Sequence, residues 1–106
     1  MKPIRFHPAV IRTMDELDGK TREDLVHLLA LLREGRSLGM PISRPMPIVA
    51  HGVHELRLRD RLGQIRVFYF TKIQDAILVF HLFRKKTQRT PTREIETGRR
   101  RLQEMA

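Results

Sequence analysis

The sequence predicts an α+β domain: two helices, then a three-stranded antiparallel meander, then a closing helix. Three observations carry that expectation. Leucines recur at helical spacing over residues 25–32, strict alternation takes over at residues 55–59, and Thr90-Pro91 opens a last periodic segment. The chain has 106 residues, the length of one ordinary domain, and its 41% hydrophobic residues suffice for a core.

Pro3 to Phe6 read as a possible N-terminal edge strand, and Pro8 to Leu17 as a short helix stopped by Asp18-Gly19. The next helix is the clearest. Thr21 is its candidate N-cap, with Asp24 three residues on, and Leu25, Leu28, Leu29 and Leu32 recur at i, i+3, i+4 and i+7. Gly35 stands where a C′ glycine ends such a helix, because glycine alone enters the left-handed region without penalty. Residues 36–47, rich in glycine, proline and serine, read as a long surface loop ending near Pro47.

The period then changes to two. Glu55-Leu56-Arg57-Leu58-Arg59 places both leucines on one face of a strand and both arginines on the other. Asp60 to Gln64, with Gly63, form a hairpin loop, and Ile65 to Phe70 form the returning strand. Lys72 to Asp75 turn the chain again. Ala76 to Phe83 are almost wholly apolar, as a central strand covered on both faces requires. Thr90 caps and Pro91 opens the final helix, where Ile95, Gly98, Leu102 and Met105 share a face.

Composition narrows the function classes. Cysteine is absent, which excludes disulfides, thiolate metal sites and a cysteine nucleophile. No run approaches a membrane helix, and the N-terminal segment lacks the unbroken apolar stretch of a signal peptide, so a cytoplasmic protein with no membrane partner is expected. The net charge of +9 is segregated: residues 1–35 hold six cations and six anions, so the whole excess lies beyond them. A one-sided excess of that size attracts polyanions. Phosphate-binding glycine motifs and a nucleophile elbow are missing. His51-Gly52-Val53-His54 is not a zinc pair, since Gly52 and the strand pattern deny the helix that would align both rings. No cofactor or metal is expected. Acidic residues near the strands are too few for a magnesium cluster, which leaves RNA cleavage by its own 2′-hydroxyl as the accessible nuclease chemistry.

Connectivity can gather cations from three consecutive strands: Arg57 and Arg59, then Arg66, then Arg84, Lys85 and Lys86 at the exit of the third. Guanidinium forks grip phosphate oxygens in pairs, and lysine adds a mobile point charge. Phe68 or Tyr69 can stack on a base, or belong to the core. Arg57 and Arg59 can equally form a solvated face paired with Glu55 and Asp60. His81, in the central strand, is either a hydrogen-bonded core histidine or the residue that moves a proton near neutral pH.

The succession Glu55-Leu56-Arg57, Arg66-Val67-Phe68-Tyr69 and His81-x-Phe83-x-Lys85-Lys86-Thr87-Gln88-x-Thr90-Pro91-x-x-Glu94-Ile95 resembles the RelE/HigB toxins, and within them the phage-derived Gp49-like branch. The resemblance covers residues 54–104 and implies a RelE/ParE-like fold over one domain, residues 1–106. It also implies the toxin of a type II toxin–antitoxin pair, a ribosome-dependent mRNA endonuclease entering the A site and leaving a 2′,3′-cyclic phosphate. A helix-turn-helix antitoxin would be its partner, and operator DNA would be met only through that complex. By position, Arg57 and Arg59 fall on the strand cations that act on the 2′-hydroxyl and phosphate, and Arg66 on the family's phosphate-stabilising arginine. Lys85 or Lys86 falls near the cation assisting the leaving group. Arg84, Thr87, Gln88 and Arg89 complete the exit as candidate RNA contacts. Two departures stand out. No aromatic residue follows Phe83, where some RelE proteins stack a tyrosine, and the general base is unassigned, with His81 the candidate. The related ParE toxins poison DNA gyrase on the same fold, which is the alternative function. A decayed toxin that binds only antitoxin or nucleic acid is a third.

Overall fold

The computed structural model describes Met1–Ala106. Its elements run β1 (Ile4–Phe6), α1 (Pro8–Asp15), α2 (Gly19–Arg33), β2 (Ser43–Pro45), β3 (Val53–Asp60), β4 (Gly63–Phe70), β5 (Ile77–Lys85) and α3 (Thr92–Met105). The five strands form one sheet in the order β1-β5-β4-β3-β2. The α+β expectation and the central meander hold. The sheet is mixed rather than wholly antiparallel, because β1 lies parallel to β5. The stretch expected to be loop throughout contains β2, paired antiparallel with the start of β3.

Each face of the sheet buries its own core. Leu25, Leu29 and Leu32 of α2 and Val10 of α1 pack on Leu56, Ile65, Val67, Tyr69, Val79 and Leu82. On the other face, Ile95 and Leu102 of α3 meet Phe68, Leu78, Phe80 and Phe83, with Met46 and Val49 closing the side. Three layers result, with the sheet between α1/α2 and α3. Close approach of α3 needs Gly98, where an added Cβ would lie 2.8 Å from Phe68 Cδ2.

Three local expectations shift. The N-cap of α2 is Asp18, whose Oδ1 accepts from the Thr21 amide at 2.8 Å; Thr21 is buried one turn inside. The end of α2 follows the sequence: Gly35 has φ +87°, its amide bonds the Leu32 carbonyl, and that of Arg36 bonds Leu31. The β3–β4 hairpin is tighter than expected, since Asp60 pairs with Gly63 across Arg61-Leu62 alone. Thr90 makes no capping bond, and α3 begins at Thr92.

One irregularity decides which face of the sheet the β5 candidate residues take. Between Phe68 and Tyr69 the β4–β5 register slips: Phe68 pairs with His81, but Tyr69 pairs with Val79. Phe80 is therefore an extra residue in β5, a β-bulge. Side chains alternate every residue along a strand, so one extra residue moves everything beyond it to the opposite face. Ile77 and Val79 face α1/α2, yet the odd-numbered residues after the bulge, His81, Phe83 and Lys85, face the α3 side.

Candidate functional site

On the α3 side of the sheet, the register sets out three rows. Arg44, Glu55, Phe68 and His81 form the first; Arg57, Arg66 and Phe83 the second; Arg59, Gln64 and Lys85 the third. Helix α3 covers the β5 end of this surface and leaves the β3 end open. The β5–α3 connection then brings Lys86, Thr87 and Gln88 over the rim.

The result is a cleft of about 290 Å³ lined by Arg57, Gln64, Arg66, Lys85, Lys86, Thr87 and Gln88, with no apolar side chain among them. A second groove beside it shares Arg57, Gln64 and Arg66 and adds Arg59. Arg57, Arg59, Arg66, Lys85, Lys86, Thr87 and Gln88, all expected site residues, are thus brought together.

Arg66 and Lys85 are both buried residues, unlike most surface cations. The Arg66 fork donates to the Ile65 carbonyl at 3.1 Å and to the Gln64 amide oxygen. Burial pushes the Arg66 guanidinium below its ordinary value, with Arg57 and Arg44 pushing the same way and Glu55 opposing. Burial, then Arg66, holds the Lys85 ammonium below the usual lysine range, again against Glu55. Of the six buried side-chain atoms in the protein that lack a hydrogen-bond partner, four lie here: Arg57 Nε, Arg66 Nε and both oxygens of Glu55. Buried polar groups are almost always paired, so this concentration sets the region apart from the rest of the protein.

Other expected residues are placed elsewhere. Arg84 lies on the α1/α2 face of the sheet, opposite the cleft, and grips Asp60 with both nitrogens at 2.7 Å. That hydrogen-bonded pairing pulls the Asp60 carboxyl down to about 2 and raises the Arg84 guanidinium. Phe68 is fully buried and Tyr69 nearly so, with the tyrosine hydroxyl 2.6 Å from Ser43 Oγ. Neither can stack on a base. Arg89 is exposed and does not line the cleft.

His81 is buried under α3 and saturated. Arg101 donates to its Nδ1 at 3.0 Å, which fixes the tautomer with the proton on Nε2, directed at Glu94 Oε1 at 3.0 Å. Burial lowers its tendency to charge, partly offset by Glu94. It is placed as a hydrogen-bonded core histidine and does not line the cleft.

Two neighbours of the cleft escaped the sequence reading. Arg44, on β2, has its Nε 3.9 Å from Glu55; a three-residue strand ending in proline carries no readable period. Glu55 shares the parity of Arg57, which was legible, but its complete burial was not.

Comparison with curated proteins finds no match. Residues 12–103 match the phage-derived Gp49-like protein family (DUF891). That span takes in α2, the bulged strand and every cleft residue, and the chain belongs to this family of HigB/RelE-like toxins.

Proposed function

We propose that the protein is the toxin of a type II toxin–antitoxin pair, with a RelE/ParE-like fold, that cleaves mRNA on the ribosome without a metal ion. A helix-turn-helix antitoxin neutralises it. The observation that carries this reading is the wholly polar cleft in which Arg57, Arg66, Lys85 and Lys86 converge. Fixed cations of this kind are what an in-line transphosphorylation needs.

In the proposed step the 2′-hydroxyl oxygen bonds to the adjacent phosphorus while the bond from phosphorus to the 5′-oxygen breaks. Arg57 and Arg66 take the charge that builds on the non-bridging oxygens. Lys85, whose pKa burial moves toward neutrality, protonates the departing 5′-oxygen. The products are a 2′,3′-cyclic phosphate and a 5′-hydroxyl. Arginine does not deprotonate and Lys85 is used as the acid, so in the proposed step the 2′-hydroxyl proton passes to water and electrostatic stabilisation supplies most of the rate.

Controlled expression in a bacterial host tests the reading. Growth arrest that disappears in Lys85→Ala, without induction of the DNA-damage response, is the expected result. Arrest accompanied by that response, and retained in Lys85→Ala, would replace it with gyrase inhibition.

A further inference from the structure

Glu55 takes no part in the chemistry above, yet it is the most anomalous side chain in the molecule. It is completely buried, neither carboxylate oxygen has a hydrogen-bond partner, and it does not line the cleft. A carboxylate so placed is tolerated only where cations lie close. They do: Arg66 Nε is at 3.5 Å and Arg44 Nε at 3.9 Å from the same oxygen. These are ion-pair contacts rather than made hydrogen bonds, so the interaction is one of charge. The other acid on β3, Asp60, faces the opposite side and is locked to Arg84. Glu94 of α3 is engaged by His81 and Arg93.

Four cations brought onto one surface repel one another, and at short range in a partly dry setting that repulsion is not screened away. The charges that bear most on Lys85 are Arg66 on β4, Glu55 and Arg57 on β3, and Arg44 on β2; Glu55 alone is negative. Arg44 is brought to the cluster by the three-residue pairing of β2 with β3, which sets it directly opposite Glu55.

We infer that Glu55 is a positioning residue, an internal anion that gathers Arg44 and Arg66 beneath the cleft and keeps Lys85 charged where a phosphate is to be bound. The inference rests on the phosphate reading of the cleft and not on cleavage itself. Glu55 never touches the ligand. It makes Arg44 part of the site and opposes the tendency of the crowded cations to shed a proton from their only lysine at the cleft floor.

Nuclear magnetic resonance of protein labelled at lysine, arginine and glutamate tests this without any cleavage assay. The Lys85 side chain, assigned with Lys85→Arg, is titrated in the native protein, in Glu55→Gln and in Glu55→Asp. The Lys85 midpoint should fall in Glu55→Gln by on the order of one pH unit and largely recover in Glu55→Asp. An unchanged midpoint in a folded Glu55→Gln overturns the inference, since a purely structural role would change stability alone. If that variant does not fold, the native Glu55 carboxyl resonance decides. A carboxylate shift at neutral pH supports the internal anion, and a protonated acid overturns it. Inorganic phosphate added to the native protein separates the two readings. Silence of the Arg57 and Arg66 Nε resonances would sink the phosphate site, while the Lys85 titration still judges Glu55.

Discussion

Arg84 and Lys85 are adjacent, both cationic and both at the exit of β5, yet they have opposite fates. Arg84 closes an ion pair with Asp60 on the α1/α2 face; Lys85 forms part of the cleft on the other. Composition marked the basic exit but could not divide it, because strand parity depends on register. The same ambiguity covered Lys85 and Lys86, and burial resolves it: Lys85 is 8% exposed and Lys86 stands at the rim. Lys85→Ala should lower RNA cleavage by about 10²-fold or more, in the range of a fixed electrostatic group, and Lys86→Ala by less than about 10-fold. Initial rates at matched protein concentration check this. The Arg84–Asp60 pair has a different signature. Its folded carboxyl lies near 2, below the unfolded value of about 3.9, so the unfolded chain binds the proton first. The pair's contribution is whole above about pH 4 and disappears as pH falls through the folded value. Asp60→Asn should therefore flatten the melting temperature against pH over that acid window relative to the native protein.

At the scale of elements, the bulge at Phe80 decides what the site contains. Read by simple alternation, β5 would send His81 and Lys85 toward α1/α2 with Val79, and no cleft would form. The bulge has no glycine to announce it, and a nearly continuous apolar run hides its parity, so it could be found only from pairing. The helices were more legible because their period of 3.6 is written over many residues; only their caps moved, where Asp18 and Thr21 offer rival oxygens. Two predictions belong here. Gly98→Ala inserts a methyl at 2.8 Å from the buried Phe68 ring, and should destabilise the fold by roughly 1–3 kcal/mol in denaturant unfolding. His81 prefers its neutral form in the fold, so its contribution is present above the unfolded value of about 6.5 and is lost as pH falls through the lower folded one. His81→Gln should lose stability at neutral pH and show a smaller further loss on mild acidification than the native protein.

The whole molecule is electrically two-sided. The electroneutral first 35 residues build β1, α1 and α2, while the entire +9 falls on the loops, the meander and α3. This segregation was visible in the sequence and translates directly into layers, although two of the three clustered arginines of α3 do structural work. Arg99 binds the carbonyls of Ile48 and Val49, and Arg101 binds His81. Charge alone thus overstated the free cationic surface, and the cleft is its concentrated part. A site that engages phosphates through its cations releases counterions. RNA affinity should fall steeply with salt, and neutralising Arg57 should reduce the log–log slope by about 0.7. Fluorescence titrations across a salt series measure it.

In the proposed function these cations catalyse phosphate transfer within RNA. A translation reaction programmed with one defined mRNA, with the new RNA ends mapped and typed, tests it most directly. Native protein should produce cuts ending in 2′,3′-cyclic phosphate only when ribosomes are present, and folded Arg66→Ala should produce none. Intact mRNA with native protein, or the same cuts with Arg66→Ala, would contradict the claim.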